Sequence, residues 1–194
     1  MTVRDLMFKN RSYRRFEENV AVTEAQLRDL VDLTRLVASG GNKQPLRYVL
    51  SADPRTNAVI FANLAWAAYL TEWSGPAEGE RPSAYIVILG DTDVSSSFGC
   101  DHGIAAQSIL LGAVEQGLGG CMIGSINRDS LRTAFKIPMR YEILLVLALG
   151  KPKETVVLEP VTNDNIRYWR DARERHHVPK RSLEEIILDL KPEV

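Results

Sequence analysis

The stretch Asp101–Ile126, DHGIAAQSILLGAVEQGLGGCMIGSI, decides how the rest of the chain is read. Its first part, Asp101 to Gln116, has the composition of a helix. Asp101 is a candidate N-cap, and the glycines from Gly117 to Gly120 end it. Ile104, Ala105, Ile109, Leu110, Leu111, Ala113 and Val114 leave almost no polar face, so this helix belongs in a core or between subunits. Gly103, Ala105, Ala106, Ser108 and Gly112 let another backbone come close. The second part, Cys121 to Ser125, is a short apolar strand closing on Gly124-Ser125. Bare backbone at such a strand end suits a flat ligand.

On the N-terminal side, Thr2–Lys9 reads as a short amphipathic helix running into the cationic segment NRSYRRF, Asn10–Phe16. Thr23 and Gln26 form a capping box for a helix whose apolar face is Leu27, Leu30, Val31, Thr34 and Val37. That helix stops at the loop SGGNKQP, Ser39–Pro45. Leu46–Ser51 is a first strand. Asp53-Pro54 opens an alanine- and aromatic-rich helix expected to reach about Trp73. Ser83–Leu89 and Glu142–Leu149 are continuous apolar strands, expected at the centre of a sheet. On the C-terminal side, Asn127 caps a helix to Lys136, and Lys151–Pro179 reads as polar and irregular. Ser182 and Glu185 box a last helix, Leu183–Leu190. The alternation of helices and strands predicts a three-layer domain with a mixed sheet.

The chain has 194 residues and a net charge of −1, with no global basic field to suggest nucleic acid. No apolar run approaches the roughly 20 residues needed to span a bilayer, and Met1–Arg11 carries no apolar signal region. Cys100 and Cys121 make neither a disulfide framework nor a metal pattern and suit a reducing cytoplasm. His102, His176 and His177 lack metal-pair spacing. Gly117-Leu118-Gly119 starts like a dinucleotide fingerprint, but it precedes a strand and Met122 stands at the third glycine. Phosphate-loop and nucleophile-elbow motifs are absent. An enzyme built on this sequence leaves the chemistry to a cofactor.

Three segments offer binding chemistry. Arg11, Ser12, Arg14 and Arg15 combine guanidinium forks with a hydroxyl, the donor set of a phosphate monoester site or simply a solvated charge run. Ser39, Gly40, Asn42, Lys43 and Gln44 make a polar loop able to hydrogen-bond the edge of a ring, or a plain helix end and turn. Lys180 and Arg181 are a basic pair before the last helix, able to add charge to a phosphate or to lie on the surface.

Together and in this order, NRSYRRF, SGGNKQPLRYV, DHGIAAQSILLGAVEQGLGGCMIG and VPKRSLEEII resemble the FMN-dependent nitroreductase family, from Asn10 to Ile187. The resemblance implies an α+β nitroreductase-like fold. It has three α/β/α layers around a mixed central sheet and one FMN-binding domain over residues 1–194, in an intertwined homodimer with two FMN sites shared between subunits. Arg11, Ser12 and Arg14 match the positions holding the phosphate and ribityl chain. Lys180 and Arg181 match the basic residues closing over the phosphate. Ser39, Gly40, Asn42 and Gln44 match the loop brought by the partner subunit. Met122, Ile123, Gly124 and Ser125 match the segment facing the ring. Asn10 stands where many members have arginine, which shifts that role to Arg15 or removes it. Leu46 and Ser125 replace a common tryptophan and a common glycine.

The implied activity is ping-pong reduction of nitroaromatic, quinone or similar small acceptors by NADH or NADPH. No residue serves as a catalytic acid or base, no metal takes part, and the protein is cytoplasmic. Aromatics between Trp66 and Pro82 and at Tyr168-Trp169 either stack on the acceptor or pack internally. The alternatives are a flavin storage or sensing protein without NAD(P)H turnover, and a flavin-free interaction module.

Overall fold

Ala84–Asp91 (β2) is buried at every position, and the first structural unit is built around it. The computed structural model describes residues 1–191, and the chain divides into two units. The first holds Met1–Trp66 and Ser74–Lys153; the second holds Ala67–Trp73 and the chain from Glu154 onward.

In the first unit, β2 pairs with Leu46–Ser51 (β1) on one side and Tyr141–Gly150 (β4) on the other; β4 also pairs with Gly119–Ile123 (β3). The order is β1-β2-β4-β3 and all three ladders are antiparallel. This corrects the expected mixed central sheet. Continuous apolar runs reflect burial on both faces, which parallel sheets usually have but antiparallel sheets also acquire when helices cover both sides. Alternate residues Ala84, Ile86 and Ile88 join Leu147 and Leu149 in a core with Leu27 and Leu30 of Glu24–Asp32 (α2). Ala106, Ile109, Leu110 and Ala113 of Asp101–Glu115 (α4) complete it. On the other face Tyr85 and Val87 are buried as well, on the side of Pro54–Phe61 (α3).

The helix ends follow capping chemistry. Thr2, Thr23, Asp53 and Asn127 accept from the backbone N–H three residues on, starting Val3–Lys9 (α1), α2, α3 and Arg128–Phe135 (α5). The long helix differs in detail. Its N-cap is Cys100, and Asp101 lies one residue inside, its carboxylate free for another task. The helix α3 ends at Phe61 rather than Trp73, because the chain turns so that Leu64 bridges Ile126 and the Ala65 N–H reaches the Ser125 carbonyl at 3.0 Å. On the α2 side of the sheet, a Cβ at Gly112 would meet Leu33 and Leu30, so the α2 end packs directly on the α4 backbone.

The second unit is ordered where the sequence reads as irregular. Val156–Pro160 (β5), Trp169–Arg170 (β6) and His176–Lys180 (β7) form a sheet in the order β5-β7-β6, parallel on one side of β7 and antiparallel on the other. Here the pairing is mixed. The last helix is one turn, Leu183–Ile186 (α6), shorter than expected, with its Ser182–Glu185 capping box in place.

Candidate functional site

After α1 the chain extends and lies along the free edge of β3. Ser12 forms a parallel bridge with Gly120, and the Tyr13 N–H donates to the Gly120 carbonyl at 3.0 Å. An edge strand offers unpaired backbone groups, and this segment covers them. Gly120 is required there. A Cβ would lie 2.5 Å from the Ala148 carbonyl oxygen and 2.8 Å from Leu110. Farther on, Phe16 is fully buried, bridges Pro152 and donates its N–H to the Glu80 carbonyl at 2.9 Å. The cationic segment is thus fastened at both ends.

Its side chains have different fates. The Arg11 Nη2 donates to the Met7 carbonyl at 2.6 Å, while its buried Nε has no acceptor. Arg14 reaches the Ser12 carbonyl at 3.3 Å. Arg15 forks onto both oxygens of Glu80, at 2.5 and 2.7 Å, and Lys153 adds a third interaction at 2.9 Å. The hydrogen bond from Arg15 pulls the Glu80 carboxyl down to about 2. Arg15 is therefore a structural ion-pair partner. With Arg15 committed to Glu80, the alternative in which the contact at Asn10 is lost agrees better with this geometry than its transfer to Arg15.

At the end of β3, Met122 is exposed and Ile123 buried, and just beyond it Gly124 and Ser125 are exposed. The carbonyls here are held from behind: Ser125 accepts from Ala65, and Gly124 accepts from Arg128 at 3.4 Å. Around the missing Gly124 side chain nothing lies within 4 Å. The first unit thus brings the Arg11–Arg14 and Met122–Ser125 segments onto one strand.

The Ser39–Gln44 loop sits instead at the start of α4. The Asp101 carboxylate accepts from the Ser39 hydroxyl at 2.6 Å and the Gly40 N–H at 2.9 Å; the Ser39 oxygen in turn accepts the Gln44 N–H at 3.0 Å. Positive φ at Gly41, Asn42 and Gln44 turns the chain so that Asn42 and Gln44 project outward, linked to each other at 3.1 Å. Ser39 and Gly40 thus serve the loop's own shape. Asp101 is the residue that sequence reasoning missed in this role. Its partners are some sixty residues away, and no local pattern announces the contact.

In the second unit, Lys180 ends β7 with an exposed side chain and no ion pair among the described residues. Arg181 is engaged by Asp164 at 2.8 Å and Glu185 at 3.2 Å, and Asp164 raises its pKa. Tyr168 packs on Tyr69 with ring centres 4.9 Å apart. Trp169 stacks on His177 at 4.2 Å and donates its indole N–H to Glu159. These rings have intramolecular partners, while Tyr69 and Trp169 also remain exposed.

A sequence model of the nitroreductase family matches residues 8–151. The chain belongs to the nitroreductase family. The match covers the cationic segment, the 39–44 loop, α4 and β3 and stops one residue after β4. Among solved nitroreductases, a family protein from Clostridium novyi is 25% identical, with 79% of this chain and 86% of that one aligned at a TM-score of 0.66. A family protein from Streptococcus pneumoniae aligns over 97% of this chain and 100% of its own at a TM-score of 0.72 with 17% identity. An FMN-dependent nitroreductase from Clostridium difficile aligns over 82% and 91% at a TM-score of 0.63 with 22% identity. The last two show a shared fold. Nitroreductase membership makes an oxidoreductase the natural class for this chain.

Proposed function

We propose that this nitroreductase-family chain binds FMN and uses NADH or NADPH to reduce small electrophilic acceptors such as nitroaromatics and quinones. We further propose that the whole chain serves as one FMN-binding domain in a cytoplasmic homodimer with helices on both faces of the sheet. The observation that carries the reading is the Ser12–Gly120 bridge. It sets a cationic segment with a buried, acceptorless Arg11 Nε beside the strand that ends in an unobstructed Gly124. Buried polar groups find partners in a working protein, and a phosphate oxygen supplies what Arg11 lacks.

The residues fit a planar cofactor with a phosphate tail. Arg11, Ser12 and Arg14 would hold the phosphate end, and Met122, Ile123, Gly124 and Ser125 would face the ring. The outward amides of Asn42 and Gln44, on a loop shaped by Ser39 and Gly40, would meet its edge from the partner subunit. Lys180 would add charge at the phosphate. Arg181, already paired, would serve chiefly to position it. Bound FMN supplies two-electron transfer between NAD(P)H and acceptor. The chain's own work is to bind, orient and neutralise charge, with no side chain required to move a proton.

The test is spectroscopic. The purified chain, as isolated or after reconstitution, should show an FMN absorption band that bleaches on anaerobic addition of NADPH or NADH. The Arg11→Ala/Arg14→Ala double variant should bind FMN at least about tenfold more weakly. A colourless chain that cannot be reconstituted ends the flavin reading. An FMN-loaded chain that neither nucleotide bleaches points to storage or sensing. Unchanged affinity in the double variant removes the phosphate assignment.

A further inference from the structure

On the α3 side of the central sheet lies a cavity of about 190 Å³, lined by none of the residues assigned above. Tyr85 of β2 reaches it. Tyr85 is 1% exposed, and its hydroxyl has no hydrogen-bond partner. Its polar neighbours are satisfied by one another. Ser51, opposite Tyr85 in the ladder, donates to the Asn57 side-chain carbonyl at 2.7 Å, and the Asn57 amide donates to the Ser83 carbonyl at 2.8 Å. The phenol is left over, and so is the Ser83 hydroxyl.

Arg81 lines the same cavity. Its guanidinium lies over the Phe61 ring at 4.6 Å, its Nε is buried without an acceptor, and it makes no ion pair among the described residues. Glu18 stands in the same wall, but its Oε2 accepts the backbone N–H groups of Gly79 at 2.6 Å and Arg81 at 3.1 Å, and it forms no ion pair with the Arg81 guanidinium among the described residues. Burial pushes the Tyr85 phenol far up, so it remains a neutral donor, and Arg81 acts on it in the opposite sense. Three donors without acceptors therefore line one cavity. Such groups are costly unless something accepts from them.

We propose that this cavity is a second small-molecule site, taking an aromatic monocarboxylate whose carboxylate accepts from Arg81 and Tyr85. The rest of the lining favours this class. Ala58, Pro54, Pro82 and Phe61 give apolar walls for a ring. A cavity of about 150 Å³ already admits benzene, whereas drug-sized ligands take roughly 300–1,000 Å³, so one ring is the fitting body. The charge count selects the head group. With Arg81 as its cation and the Glu18 carboxylate in the same wall, the site suits a monoanion and repels a phosphate dianion. The inference is independent of the flavin reading, since it shares no residue with it.

Benzoate is the probe, with benzamide as its neutral isostere, titrated into the full chain and followed by amide NMR. Benzoate should saturate at one per chain with the largest shifts at Arg81, Ser83 and Tyr85. Benzamide should bind at least about tenfold more weakly, and Tyr85→Phe and Arg81→Gln should each weaken benzoate by about tenfold. Tyr85→Phe removes one atom from a buried ring and keeps the fold, so it decides even where the arginine variant does not express. Three results would overturn the site. They are no saturable shift at these amides, equal binding of benzoate and benzamide, and wild-type benzoate affinity in Tyr85→Phe. The last outcome would mean that the hydroxyl takes no part in binding the carboxylate.

Discussion

Replacing Glu80 by glutamine should cost about 2–3 kcal/mol at neutral pH, and the loss should disappear in acid. Glu80 is 16% exposed in its side chain, and three charged interactions from Arg15 and Lys153 converge on it. Its carboxyl falls from 4.5 to about 2. At about 1.36 kcal/mol per unit the difference is about 3 kcal/mol, trimmed because Lys153 is nearly half exposed and screened. The sign follows from linkage. A depressed folded-state carboxyl contributes stability that is complete above the unfolded value and is lost as pH falls through the folded value. The window here runs from 4.5 down to about 2. Glutamine cannot titrate, so the difference between the two urea midpoints, measured against pH at fixed protein concentration, isolates this group. A difference of less than about 0.5 kcal/mol at pH 7, within ordinary surface scatter, would refute this role for Glu80. A larger difference that stays flat below pH 4.5 would refute it as well. Because Arg15 closes the segment that carries Arg11 and Arg14, the variant should also bind FMN more weakly at neutral pH.

Three further outcomes follow from the geometry. Gly120→Ala should destabilise by about 3 kcal/mol in urea unfolding, since the Cβ meets the Ala148 carbonyl and two leucines at once. Gly124→Val should leave stability within about 0.5 kcal/mol, because its surroundings are open. The same change should weaken FMN at least about tenfold in a fluorescence titration, and equal affinity would mean that the ring lies elsewhere. Asp101→Ala should cost about 2 kcal/mol and speed hydrogen exchange at Gly40 and Gln44, because the carboxylate that shapes their loop is gone.

What the sequence reveals here is whatever is local. The caps at Thr23, Asp53, Asn127 and Ser182, the apolar α4 and the uninterrupted β2 and β4 are visible because each rests on interactions within a few residues or on burial alone. Long-range pairings are not visible. In the second unit, β5 pairs with β7 twenty residues away, Val156 with His176, and neither strand has enough alternation to stand out from a polar stretch. The end of α3 is set by Leu64 meeting Ile126, against an alanine-rich sequence that favours continuing the helix. The same distinction divides the cationic run. Arg11 and Arg15 are alike as letters, and only the fold, by placing Glu80 beside one of them, makes Arg15 a strut and leaves Arg11 with an unused donor.

That contrast explains how one short segment can be both structural and available to a ligand. Residues 12 and 13 complete the edge of β3 through backbone groups alone, and Phe16 and Arg15 anchor the segment through burial and charge. Neither attachment uses the Arg11 Nε. Orienting a donor before its acceptor arrives removes much of the ordering cost from binding. The same logic ties Asp101 to Asn42 and Gln44. The carboxylate holds Ser39 and Gly40, and the strained positive-φ residues beyond them turn outward, already shaped. In both places a charge committed inside the protein fixes the position of the segment beside it. Substitutions at Glu80 and Asp101 should therefore alter ligand affinity without touching the ligand.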